Sequence, residues 1–186
     1  MSGKESIRVK TMNRVIGLSI NKDNTISADM GIPKFEPKDL PFEAECRSAN
    51  YPIDLGDQTV AIAAISMGNP HAVMFVDDID SAPVSIIGSQ IEKHYRFPNK
   101  VNVGFVEVVN RRHIKLRVHE RGSGETRACG SGACAAAVAT IQKGLVDSPV
   151  TVALTGGNLT INWPGEGHSL IMSGQAITSF HGQIKL

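Results

Sequence analysis

The chain alternates short stretches rich in Val, Ile and Phe with breaks marked by glycine, proline and asparagine, and this pattern predicts mostly strands. Ile7 to Met12 and Val15 to Asn21 read as a hairpin. Thr59 to Met67, His71 to Asp77, Val101 to Val109 and His113 to His119 are β-branched and aromatic runs of the kind that suit a pleated surface. The stretch HIKLRVHE alternates apolar and polar residues over its whole length, as a half-buried antiparallel strand does. Thr151 to Leu154 and Leu159 to Trp163 flank Thr155-Gly156-Gly157-Asn158, a turn signal. Leu170 to Met172 and Gly182 to Leu186 suggest further strands.

Two segments have helical spacing instead. Ser81 to His94 places Val84, Ile87 and Ile91 on one face, with Glu92, Lys93 and His94 as a polar end. The second helix starts near Ser131 in GSGACAAAVATIQKG and stops at Gly144, a residue suited to the C′ position. It is small or apolar on every side, so it must be buried all round. One such helix among many strands predicts an α+β fold, antiparallel strands wrapped around a central buried helix.

Length and charge add bounds. The 186 residues suffice for one large domain or two small lobes. Nineteen Lys and Arg against eighteen Asp and Glu leave a net charge of +1, which gives no reason to expect nucleic acid or an anionic membrane as partner. Arg111, Arg112, Lys115 and Arg117 alternate with apolar residues and read as the solvated face of a strand. No apolar run approaches the roughly 20 residues that span a bilayer, and MSGKESIRVKT has no signal-peptide core. Three cysteines, Cys46, Cys129 and Cys134, follow no disulfide spacing, which points to a reducing, cytoplasmic setting.

The candidate chemistry lies in Glu120 to Cys134, ERGSGETRACGSGAC. Glycines at 122, 124, 130 and 132 allow a sharp turn and a close approach to a ligand. Cys129 then falls at or just before the first turn of the buried helix. Free N–H groups and the helix dipole there favour an anion, so the thiolate of Cys129 is expected to be stabilised and to be the most readily alkylated of the three. The same N–H groups could hold a carboxylate. Read alone, each cysteine is equally a small core residue; that is the reading for Cys134 and Cys46. Cys129 and Cys134 are five apart, roughly 140° around a helix, so they do not converge on a metal, and no CxxC is present. Asn69, in the turn of SMGNPH, and Asn102, inside the apolar VNVGFVEVV, are polar residues in unexpected places that fit turn capping as well as ligand binding.

SMGNPHAV, RFPNKVNVGFVEVV, LRVHERGSGETRACGSGACAAAVA and GGNLTINW, in this order, resemble the diaminopimelate epimerase family from about Ile7 to Leu186. The resemblance implies interconversion of LL- and meso-2,6-diaminopimelate, on a route to lysine, with neither pyridoxal phosphate nor another cofactor and no metal. Two cysteines on opposite faces of the α-carbon act as base and acid. Carried over by position, Cys129 is one of them. Gly130 and Ser131 offer backbone N–H groups to the reacting carboxylate. Glu120 and Arg121 line the pocket, with Arg121 on the distal carboxylate. Asn69 and Asn102 hold the unreacting end, and His71, with Glu120, tunes the acidity of the cysteines.

The chain departs from the family in lacking the CGNG motif that carries the other cysteine. The resemblance assigns residues 1–29 and 176–186 to a first lobe and 30–175 to a second. The expected partners are therefore the small-molecule substrate and either a second copy, as a homodimer, or the missing N-terminal lobe. The expected isomerase is inactive alone. Other readings are a non-catalytic amino-acid-binding module, half of a split enzyme, a proline racemase relative, and a thiol redox or metal protein.

Overall fold

Nine consecutive residues, Gly132 to Thr140, are buried within α2 (Gly130–Gln142), and the sheet is built around them. In the computed structural model, which describes residues 6–10, 15–178 and 180–184, α2 has the small-residue composition that lets strands close on it from several sides. Gly144 ends it with φ +67°, a left-handed conformation that suits glycine.

The strands are β1 (Ser6–Lys10), β2 (Val15–Ile20), β3 (Ile26–Asp29), β4 (Tyr51–Asp54), β5 (Thr59–Ser66), β6 (Pro70–Phe75), β7 (Asn102–Asn110), β8 (His113–Glu120), β9 (Gly124–Thr126), β10 (Val150–Leu154), β11 (Gly157–Asn162) and β12 (Ile171–Gly174). They join in the order β1-β2-β3-β12-β11-β10-β8-β7-β6-β5-β4, with β9 added to β8. The expected hairpin near the N-terminus is present as β1 and β2, with residues 11 and 12 outside the described residues. The Thr155-Gly156 turn closes β10 on β11, pairing Leu154 with Gly157.

The fold is α+β as expected. Two pairings, β6 with β7 and β8 with β10, are parallel rather than antiparallel, because α1 (Val84–Glu92) and α2 carry the chain back across the sheet between those strands. Alternation divides the core. Ala63, Ile65, Val106, Ile114, Leu116 and Val118 face α2, whereas Ile62, Ala64, Val103 and Phe105 face α1.

Several expectations need correction. Gly182 to Ile184 form no strand: Ile184 is 83% exposed with no pairing to hold it, and residues 185 and 186 lie outside the described residues. Glu92, read as part of a polar helix end, is buried because the turn after β8 folds over it. Cys46, expected in the core, is exposed in an irregular loop, whereas Cys134 is buried in α2. The short β3, β4 and β9 carry too little periodicity to be read locally and exist through pairing. Among the described residues no helix is long and apolar enough to cross a membrane.

Ala136 has 0% exposure in the middle of α2. Ala136→Leu should lower stability by about 1–3 kcal/mol through overpacking, read from the urea midpoint at unchanged slope. An unchanged midpoint would show that the strands have room to move.

Candidate active site

Parallel pairing sets His71 of β6 beside Asn102 of β7, both at strand starts. β8 runs antiparallel to β7 and ends there at Glu120. A tight turn with Gly122 (φ +77°) and Gly124 (φ +79°) leads into β9, and the chain then enters α2 with Cys129 as N-cap. Strand ends and a helix start thus converge on one edge of the sheet.

Two strings of hydrogen bonds connect the named residues. In the first, His71 Nε2 lies 3.2 Å from Asn69 Oδ1; the amide oxygen only accepts, so His71 donates. Asn69 Nδ2 donates to Ser131 Oγ at 3.3 Å, and Ser131 Oγ lies 3.7 Å from Cys129 Sγ. In the second, buried Asn102 donates from Nδ2 to the Pro70 carbonyl at 3.0 Å and accepts the Arg121 N–H on Oδ1 at 3.0 Å. The Arg121 guanidinium is exposed, with Nη1 donating to the Asn99 carbonyl at 3.1 Å. Glu120 accepts from Thr126 Oγ1 at 2.5 Å. Gly130 opens α2 opposite Met172, whose sulfur would lie 3.3 Å from a Cβ there.

The structure therefore brings Asn69, His71, Asn102, Glu120, Arg121, Cys129, Gly130 and Ser131 to one place. Sequence reading passed over two neighbours, Thr126 and Met172, and one side-chain contact of Ser131. Thr126 engages Glu120 only because β9 folds back on β8. The Ser131 hydroxyl faces the sulfur, a role beyond its backbone N–H. Met172 arrives from β12. No local signal marks Thr126 or Met172, since each depends on strand pairing.

The electrostatics reverse one expectation. Burial pushes the Cys129 thiol up, and the nearby Glu120 carboxylate adds to this. The Gly132 N–H, near the sulfur though short of full hydrogen-bond geometry, and the Ser131 hydroxyl pull it down without prevailing. Cys129 thus rests as a thiol, 7% exposed, and exposed Cys46 is the cysteine open to reagents. Burial, helped by the charge of Arg121, depresses His71 to about 3, so its ring is neutral at ordinary pH.

This geometry can present a thiol to one face of a carbon while N–H groups and a guanidinium hold carboxylates around it. The diaminopimelate epimerase family model matches residues 63–178. The chain is 52% identical over all 186 residues to the diaminopimelate epimerase of Pseudomonas savastanoi pv. phaseolicola, and 50% identical over 186 residues to that of Nitrosospira multiformis. It spans 67% of the length of each. Among solved structures, a probable proline racemase from Agrobacterium radiobacter superposes with a TM-score of 0.69 at 13% identity, covering 100% of this chain and 62% of that one. A hydroxyproline epimerase from Agrobacterium vitis gives 0.63 at 14% identity, covering 97% and 60%. The distant structures share the fold alone, but half of all positions shared along the whole length is family likeness, and the chain belongs to the diaminopimelate epimerase family.

Proposed function

We propose that this chain supplies one acid–base face and the carboxylate grip of an isomerase that interconverts LL- and meso-2,6-diaminopimelate. The observation that carries the reading is the position of Cys129, at the N-terminus of a buried helix, with Ser131 linking it to Asn69 and with Glu120, the neighbour of Arg121, close to its sulfur. Inversion needs a base on one side of the α-carbon and an acid on the other. Cys129 serves one side: as a thiol it delivers a proton, and as a thiolate it removes one. The Gly130 and Ser131 N–H groups take the reacting carboxylate, whose negative charge grows as the carbanion forms. Arg121 takes the distal carboxylate with its two-pronged donor set, and Asn69 and Asn102 hold the unreacting end. The reaction uses no cofactor.

The opposite face requires a second thiol. Cys134 is enclosed in α2 and Cys46 lies in a loop of its own, so neither serves. In this reading residues 1–29 and 176–186 belong to a first lobe and 30–175 to a second. The other cysteine then comes from a complementary N-terminal lobe, and a homodimer is a further level of assembly. A cytoplasmic setting fits a mechanism that needs both sulfurs reduced.

His71 and Glu120 tune Cys129. Glu120 opposes ionisation directly, and neutral His71 anchors the Asn69–Ser131 string without adding a second charge beside Arg121. His71 also links folding to pH. Its folded value of about 3 lies below its ordinary 6.5, so between these the unfolded chain binds the extra proton. Its contribution is complete above pH 6.5 and is lost as pH falls toward 3.

The 186-residue chain alone should give no meso product from the LL isomer, and activity should appear on adding an N-terminal-lobe polypeptide from a relative. Robust turnover by the chain alone would overturn the two-cysteine reading. In the active mixture Cys129→Ala should cost about a thousandfold or more in kcat, and Arg121→Lys should raise KM roughly tenfold. Retained activity in either would remove that residue from its role. Unfolding free energy should fall by about 1.4 kcal/mol per pH unit on acidification from about pH 6 to 5, and His71→Gln should flatten that slope. The same slope in the variant would assign it to another group.

A further inference from the structure

Behind the site, on the face of the sheet that α1 covers, stands a second buried polar cluster. Glu92, the last residue of α1, is 4% exposed. Its Oε1 accepts the Gly122 N–H at 2.9 Å and lies 3.7 Å from Lys100 Nζ. Its Oε2 lies 3.0 Å from Nε2 of buried His119. His119 Nδ1 is buried with no partner, so the ring proton is assigned to Nε2 and donated to Glu92. α1 comes this close to β8 because residue 88 is glycine; a Cβ there would lie 2.6 Å from His119 Cβ. Burial alone would push the Glu92 carboxyl up, but the Gly122 N–H, His119 and Lys100 outweigh it and hold it below its ordinary value, ionised.

The two groups that Glu92 grips flank the site residues. His119 immediately precedes Glu120, and Gly122 immediately follows Arg121. Successive residues of a strand point to opposite faces, so holding His119 on the α1 side fixes Glu120 on the side of Cys129. Gly122 belongs to the turn that carries Arg121, whose own N–H is held by Asn102. The turn is thus clamped from both faces of the sheet.

We propose that Glu92 is a positioning residue, which sets the places of Glu120 and Arg121 through the His119 ring and the Gly122 N–H and thereby governs the reactivity of Cys129. This rests on reading Glu120 as a neighbour that tunes the cysteine. A buried carboxylate that served stability alone would leave the titration of Cys129 unchanged in folded protein. A positioning residue cannot, because release of the turn moves Glu120 away from the sulfur and admits water.

The test uses the 186-residue chain and needs neither substrate nor the second lobe. Alkylation of Cys129 by iodoacetamide is followed against pH by peptide mass spectrometry in the native chain, Glu92→Gln, Glu92→Ala and Glu120→Gln. Buried Cys134 reports, by remaining unlabelled, that α2 stays folded. Glu120→Gln should move the Cys129 midpoint to lower pH. Glu92→Ala should move it the same way, with the rate at pH 7 raised about fivefold. Glu92→Gln, which keeps the volume and one of the two acceptor contacts, should fall between, and it decides alone if Glu92→Ala exposes Cys134. A native profile in the folded Glu92 variants beside a shifted Glu120→Gln profile would overturn the positioning role and leave the site reading intact. A native profile in all the variants would overturn both.

Discussion

A helix without a polar face cannot lie on a surface, and enclosing α2 is the constraint from which the rest of this structure follows. Small side chains from Ala133 to Ala139 let strands approach from several directions, and residues from β3, β5, β6, β7, β8, β10 and β11 close around them. A sheet that curls about one helix ends with several strand termini near that helix's N-terminus. The first residues of β6 and β7, the last of β8 and the N-cap Cys129 therefore share one edge. The site is a consequence of how the core closes.

Burial and the helix end act against one another at that edge. Free N–H groups favour a thiolate, but they act on a sulfur that the core has largely withdrawn from water, and burial prevails. His71 obeys the same rule from the opposite charge type, since burial disfavours its charged form and the neighbouring guanidinium disfavours it further. Both groups are held neutral, Cys129 with Glu120 near it and His71 with Arg121 near it.

The sheet also couples its two sides. β8 carries Val118 and Glu120 toward α2 and His119 toward α1, so one strand belongs to two clusters of opposite character. On one side lies the proposed site, on the other a buried carboxylate whose hydrogen bonds reach the His119 ring and the backbone of the turn that carries Arg121. A buried carboxylate persists when hydrogen bonds compensate its burial, and here the donors are the Gly122 N–H and the His119 ring.

By itself the sequence determined what depends on near neighbours: the alternation in His113–Glu120, the all-round apolar character of the helix ending at Gly144, and a turn within Thr155-Gly156-Gly157-Asn158, which strand pairing narrows to Thr155-Gly156. The family likeness named eight residues, and the fold assembles them at one edge. Tertiary structure alone decided the rest. Glu92 is charged and would be read as solvated from its own neighbours, yet a glycine turn 30 residues away buries it. Cys46 looks like a core residue by type and is exposed, because its loop joins no sheet. Cys129 sits where a helix end should ionise it and remains a thiol, because burial is set by strands gathered from the whole chain. Periodicity and turns are properties of a few consecutive residues; dielectric, charge state and pairing belong to surroundings that exist only once distant segments meet.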